Sequence, residues 1–344
     1  ALTAFIAQRA PPPLPFRRRS IMVRRHSRRA VPACSRSAFS NEVQMTQPAP
    51  LLVPGLSALA PSYRAVPCDV WGVLHNGVVS FPAACEALAT YRRDAGGTVV
   101  LITNSPRPAG PVVEQLAGFG VPREAYDDVV SSGDVTRGMI DATRDKPILH
   151  IGPARDHALF DGLDVRLVGE AEAEQVVCTG FMDDENETPD DYREQLARLV
   201  ARGLPFLCAN PDIVVERGDR LVWCAGALAQ IYESYGGKVV YGGKPFPAIY
   251  ALARNAVEKA CGPKATPRLL AVGDGLKTDI LGANNAFQKV NLQINRIPHR
   301  RKLIRFPCNI SNKSIRLNNA WVKSGHKSYR AACVNFLDIS IPSF

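Results

Sequence analysis

The hydrophobic positions of this chain fall into three regimes. Over residues 1–44 they are scattered without period. From Val66 to Ala286, short apolar or β-branched runs alternate with longer segments whose apolar residues recur every three to four positions. Beyond Ala286 the periodicity fails. In the middle regime "DVWGVL" predicts a strand, "PAACEALATYRRDAG" a helix stopped at Gly96-Gly97, and "TVVLITNS" a strand ending in polar residues. "GPVVEQLAGFG" then predicts a helix, "DDVVSS" a short strand and "GDVTRGMIDAT" a helix. Such alternation predicts βαβ units, hence a parallel sheet covered on both faces.

A second unit follows, with "PILHIG", "DVRLV" and "QVVCTG" as strands, the helix "TPDDYREQLARLVARG", and then "PFLCAN" and "LVWCAGALAQIYESYGG". After it, "KVVYGGKPFPAIYALARNAVEKACG" and "RLLAVGDGLKTDILGANNA" return to the style of the first unit. The pattern predicts an α/β protein: a doubly wound parallel sheet from residues 45–146 and 239–286, interrupted by an α/β domain at 147–238. Residues 287–344, basic and rich in Asn, predict no element. Residues 1–44, rich in Arg, Pro and Ser, predict disorder.

Charge sharpens this division. The net +10 is concentrated at the two ends: residues 1–44 hold nine Arg against Glu42, and 287–344 hold eleven Lys and Arg against Asp338. The body between them is acidic, about −8 by difference, which is not the charge of a nucleic-acid-binding face. No uncharged apolar run is long enough to span a bilayer. The nine cysteines include no Cys-x-x-Cys pair, which argues against zinc and disulfide frameworks and for a reducing, cytoplasmic setting. The composition of 1–44 resembles an organelle transit peptide. With Met45 directly ahead of the globular pattern, translated upstream sequence is the preferred reading.

Four polar clusters fall at predicted strand ends, where parallel sheets bind ligands: Asp69, Thr103-Asn104, Lys244, and Asp274 with Asp279. Singly each is weak, since an Asp at a strand end is commonly a turn former or helix cap. Together they form a phosphoryl-transfer set. A carboxylate attacks phosphorus, a hydroxyl and backbone N–H groups hold phosphoryl oxygens, and a lysine neutralises them. Two carboxylates hold Mg²⁺, which favours few carboxylates plus waters and phosphate oxygens. Asn210 and Asp212 lie in a Pro-containing loop after "PFLCA", read either as a turn held by its own side chains or as a loop at the junction of the two units.

These stretches, in this order, resemble the haloacid dehalogenase superfamily, subfamily IIA, and within it a group whose first motif reads Asp-x-Trp-Gly. The resemblance covers about residues 66–286. "DVWGVLHNG" resembles the first motif, "LITNSPRP" the second, "YGGKPFPAIY" the third and "AVGDGLKTDILGANNA" the fourth, while the insert resembles the family's α/β cap, with "CANPDIVV" and "CAGALAQIYESYGG" typical of it. The resemblance implies a Rossmann-like core whose cap closes over the site. It implies Asp69 as nucleophile, Thr103, Asn104 and Lys244 on the phosphate, and Asn210 near the substrate. Mg²⁺ would be held by Asp69, Asp274 and the backbone carbonyl of Trp71, with Asp279 in support. The substrate would be a small phosphorylated metabolite, and a homo-oligomer could form through the cap.

Two departures qualify this. At position 71 the family usually has a second Asp, the general acid and base; Trp71 has only an N–H donor there, and His75 is the nearby titratable residue. A phosphoryl-ligand binding or regulatory protein with little turnover is therefore the alternative. The family also continues past "GANNA" with another strand. The basic tail reads as a frame change or unspliced sequence, leaving the strand before Asp274 as an exposed edge.

Overall fold

The computed structural model describes residues 51–53, 55–262, 268–287, 291–295 and 302–306; the disorder expected of residues 1–44 lies outside them. The chain enters with β1 (Leu51–Val53) and β2 (Ala65–Asp69), then α1 (Pro82–Ala95), β3 (Thr98–Thr103), α2 (Ala109–Gly118), β4 (Asp128–Ser131) and α3 (Ser132–Asp141). Next come β5 (Ile148–Ile151), β6 (Gln175–Cys178), α4 (Arg193–Ala201), β7 (Phe206–Cys208), β8 (Val214–Arg217), β9 (Arg220–Trp223), α5 (Ala225–Ser234) and β10 (Val239–Tyr241). The remainder is α6 (Pro247–Cys261), β11 (Ala271–Gly273), α7 (Leu281–Phe287), β12 (Asn291–Asn295) and β13 (Lys302–Phe306).

Local chemistry sets the boundaries. Pro at the first position starts α1, and Gly96 in the left-handed region ends it. A reciprocal capping box between Ser131 and Asp134 starts α3.

The core sheet runs β1-β13-β12-β11-β2-β3-β4. The block from β12 to β4 is parallel throughout, while β13 and β1 are antiparallel to their neighbours. Alternate residues of β3 face opposite sides, as a strand's twofold period demands. Val99 and Leu101 pack with Ala84, Cys85 and Leu88 of α1 and Leu116 of α2. Val100 and Ile102 pack with Ile249, Ala253 and Val257 of α6. Each such fully buried aliphatic side chain contributes roughly 1.5–3 kcal/mol, and coverage on both faces is why these strands read as continuous apolar runs.

A second, all-parallel sheet runs β10-β7-β6-β5. One face packs on Leu196 and Leu199 of α4 and Leu228 and Tyr232 of α5. The other gathers Ile148, Val177 and Leu207 around Ile140 of α3, tying this domain to the core. β8 and β9 form a separate antiparallel hairpin. The architecture is thus the predicted one, a doubly wound core with an inserted α/β cap.

Four details depart from the sequence pattern. β2 ends at Asp69, because Gly72 adopts φ +85 and turns the chain; "VWGVL" is a loop. "DVRLV" contributes one isolated bridge, Leu167 to Ile148, in place of a strand. β10 pairs with β7, so the stretch assigned to the core from residue 239 begins in the cap sheet. Lastly, the tail expected to lack structure supplies β12 and β13, and β12 covers β11. "NLQIN" and "KLIRF" carry only short, polar-interrupted apolar patterns, but the unpaired backbone edge of β11 is a ready template for a strand. The six described cysteines are unpaired, five of them buried and Cys261 partly so. Among the described residues, no helix is long and apolar enough to cross a membrane.

Candidate active site

The strand order reverses between β2 and β11: from β2 the chain winds outward to β3 and β4, and from β11 it winds the other way. Ligands of open α/β sheets bind at such a switch, beyond the carboxyl ends of the strands. Asp69 is the last residue of β2 and lies opposite Ile102, one short of Thr103 at the end of β3. On the other side Val272 of β11 pairs with Cys68, which brings Asp274 to the same edge.

Lys244 arrives from the loop after β10 and is only 4% exposed. Its Nζ donates to Asp69 Oδ1, lies 2.7 Å from Asp279 Oδ1 and donates to the Ile102 carbonyl at 3.2 Å. Asp279 sits on the helical turn Leu276–Ile280 that leads into α7, where its Oδ2 accepts the Gly275 N–H at 2.9 Å. Both Asp279 oxygens are thus engaged. Gly72 makes the approach of Asp274 feasible: a Cβ there would come within 2.2 Å of Asp274 Oδ2.

Three carboxylates against one ammonium leave an excess of negative charge. Burial, then repulsion from Asp279, raises the Asp69 pKa to about 7 despite Lys244. Burial, then Asp69, holds the Asp274 carboxyl well above its ordinary range. Burial alone would discharge Lys244, but Asp279 and Asp69 outweigh it and keep the ammonium. The cluster calls for a further cation. Oxygens of Asp69, Asp274 and Asp279 lie within 4.8 Å of one another, while oxygens on opposite sides of an octahedral Mg²⁺ are about 4.2 Å apart. The donor set is all-oxygen, which suits a hard divalent cation.

Replacing Lys244 by Met leaves Asp69 and Asp279 buried without their cation. The expected cost is about 3–5 kcal/mol of stability, measured by urea unfolding without metal. A loss under about 1 kcal/mol, the range of surface ion pairs, would show that the triple is not the structural anchor its burial implies.

Above the cluster lies a cavity of about 1140 Å³ between core and cap. Asp69, Thr103, Lys244 and Asp274 line its floor; Arg155, Asp184, Asp212 and the β8–β9 hairpin line the cap side.

The family profile described as haloacid dehalogenase-like hydrolase matches residues 66–166. The crystal structure of a hydrolase of the haloacid dehalogenase-like family from Brucella suis 1330 is 54% identical, with a TM-score of 0.65, covering 67% of this chain and 84% of that one. This chain belongs to the haloacid dehalogenase-like hydrolases. Two further structures share the fold. Glycerol phosphate phosphatase from Mycobacterium tuberculosis, in complex with calcium, is 24% identical with a TM-score of 0.51, over 66% of this chain and 65% of that one. The p-nitrophenyl phosphatase from Archaeoglobus fulgidus is 19% identical with a TM-score of 0.51, over 65% and 83%. No curated protein sequence matches the chain.

In this haloacid dehalogenase-like hydrolase, Asp69, Thr103, Lys244, Asp274 and Asp279 meet at one sheet edge beneath the insert. Two other candidates are occupied differently. The Asn104 amide accepts the Lys244 N–H at 2.7 Å and donates to Asp212 Oδ1 at 2.9 Å and to the Lys244 carbonyl at 3.3 Å. Asn104 thereby joins the lysine loop to the cap. Asn210 Oδ1 accepts the Asp212 N–H at 3.1 Å, the self-held turn.

Trp71 donates its indole N–H to the Glu216 carbonyl of the hairpin at 2.8 Å. Beside it, Gly218 N–H donates to the Asn76 carbonyl at 3.0 Å. His75 is 2% exposed and accepts the Gly77 N–H on Nδ1. Burial lowers its pKa to about 4, so it is neutral near pH 7 and holds no extra proton to donate there. The sequence pattern missed this clasp between core loop and hairpin. "IVVERGDRLVW" was its signal, a Gly-Asp turn between alternating apolar residues.

Proposed function

We propose that this hydrolase is a Mg²⁺-dependent, subfamily IIA phosphatase that cleaves small phosphomonoesters through an aspartyl-phosphate on Asp69. One observation carries the reading: a buried carboxylate at the switch point shares an edge with a buried lysine and two further carboxylates, under a cap. Asp69 attacks phosphorus, and the bond to the leaving oxygen breaks. Lys244 neutralises the phosphoryl oxygens, and the Thr103 hydroxyl and neighbouring N–H groups orient them. Asp69, Asp274 and the Trp71 carbonyl would hold Mg²⁺, with Asp279 fixing Lys244 and the Gly275 turn. The cation, when bound, offsets charge on the transferring group. Water then hydrolyses the acyl phosphate and returns Asp69.

Trp71 favours a second reading. Its only polar hydrogen is engaged by the cap, so position 71 supplies no proton. A protein that binds phosphoryl ligands with little turnover fits that observation, and steady phosphate release from p-nitrophenyl phosphate separates the two.

Metal binding tests the site directly. Asp69 has a folded pKa of about 7 against an ordinary 3.8. Its contribution to stability is therefore full below about 3.8 and lost as pH rises through about 7. A cation bound to the carboxylates counters that loss, so Mg²⁺ is expected to raise Tm more at about pH 8 than at about pH 5. In Asp274→Asn the Mg²⁺ shift shrinks strongly. Equal shifts in wild type and variant would remove Asp274 from the metal site.

A further inference from the structure

The β8–β9 hairpin lines the cavity with residues of both its faces, one of which is largely apolar. Its register pairs Val214 with Trp223 and Glu216 with Leu221, and alternation puts these four side chains on one side of the ribbon. Leu221 is 62% exposed, Val214 39% and Trp223 38%. All three line the cavity whose floor is Asp69 and Lys244. Grouped, exposed, large apolar side chains on a cavity wall mark a surface that takes a ligand.

Most charged groups of the same cavity are already matched within the protein; Lys277, on the core side, is exposed and joins none of the ion pairs of the described residues. Arg217 bonds Asp184 at 2.8 Å and Glu185 at 2.7 Å. Arg155 bonds Asp184 at 2.5 Å. Arg107 bonds Gln115 at 2.5 Å and lies 4.0 Å from Asp156. The cap wall therefore has its uncovered surface in the apolar face, and a second anionic group bound against that wall would have to displace existing ion pairs, Lys277 across the cavity being the exposed cation outside them.

We propose that Val214, Leu221 and Trp223 read the leaving group, and that the preferred substrate is a phosphomonoester of an aryl alcohol or comparably apolar, planar group rather than of a polyol. This rests on the phosphatase reading of the floor of the cavity. The floor takes the phosphoryl group, and the hairpin, held down by Trp71 and Asn76, covers the ring.

Phenylphosphonate and methylphosphonate, which cannot be hydrolysed as esters, separate the two parts. Their affinities are measured by calorimetry with Mg²⁺ on the full chain, wild type and the double variant Leu221→Ser, Trp223→Ser. Burial of a ring predicts that wild type binds phenylphosphonate about tenfold or more tighter than methylphosphonate. The double variant is expected to lose most of that preference while its methylphosphonate affinity stays within about twofold, since its substitutions do not touch the floor. Equal wild-type affinities, or a variant that weakens both ligands alike, would overturn the hairpin's role and leave the phosphatase reading standing. Binding of neither ligand by wild type would overturn the phosphate site and this inference with it.

Discussion

Replacement of Asp69 by asparagine is expected to reduce phosphate release by roughly 10⁴-fold or more, because in the proposed mechanism the step that forms the covalent intermediate loses its nucleophile. Asparagine keeps the size of the side chain, and its amide oxygen can still accept from Lys244, so the fold should survive. It removes one of three crowded carboxylates whose burial already raises the pKa of Asp69 to about 7, so the melting temperature without metal should hold or rise. Acid-quenched protein exposed to labelled substrate should carry phosphate in wild type and none in the variant. A variant within about tenfold of the wild-type rate would place the nucleophile elsewhere, since one order of magnitude is less than losing a covalent route should cost.

Trp71→Asp is expected to act in the opposite direction. Wild type has no titratable side chain at position 71, and His75 is buried, neutral and occupied by Gly77. Wild type should therefore show a burst of p-nitrophenolate, then slow turnover as phosphorylated Asp69 accumulates. A carboxylate at position 71 supplies the missing acid and base, a contribution of roughly 10²–10⁴ in rate, and the burst should vanish. The gain has a structural cost. The indole fills the space beside Gly77, where a Cβ would lie 2.4 Å from the ring, and it bonds the Glu216 carbonyl. Smaller gains for bulky apolar substrates than for compact ones would be the mark of a loosened hairpin. Rapid-quench kinetics on both proteins decide the matter, and a burst-free wild type that cleaves alkyl phosphates rapidly would show that another group moves the proton.

The parts of this protein legible in its sequence are those with a local cause. Asp69, Thr103 and Asp274 each end or directly follow a short apolar run, and strand ends of a doubly wound sheet converge by geometry alone. Lys244 sits in a loop and Asp279 on a helical turn that follow such runs, and order along the chain sufficed to group them. The contacts that left no trace in the sequence have non-local causes. Whether an asparagine offers its amide to a ligand or to a neighbouring loop has no signature in the chain. The partners of Asn104 lie 108 and 140 residues away. The same holds for Trp71, whose partner is 145 residues distant. The helical or strand period of a segment reports the face it buries. β12 was hidden because it answers the backbone edge of β11, and β13 because it answers that of β12, a demand that comes from hydrogen bonding and leaves little trace in side-chain pattern.

The pairing of β1 with β13 has a consequence for how the chain acquires its fold. Leu51 pairs with Arg305 and Val53 with Leu303, so an early strand waits on one made some 250 residues later. Pairing across such a separation is slow to form, because loop closure precedes any reward. During synthesis the cap and the β2–β4 half of the core can fold while β1 has no partner. The edge of β11, one residue from Asp274, stays open until β12 emerges. A chain shortened to end near Ala286 would keep that edge permanently bare, so self-association and a disordered Asp274 should appear together, and useful truncations have to retain residues through Phe306.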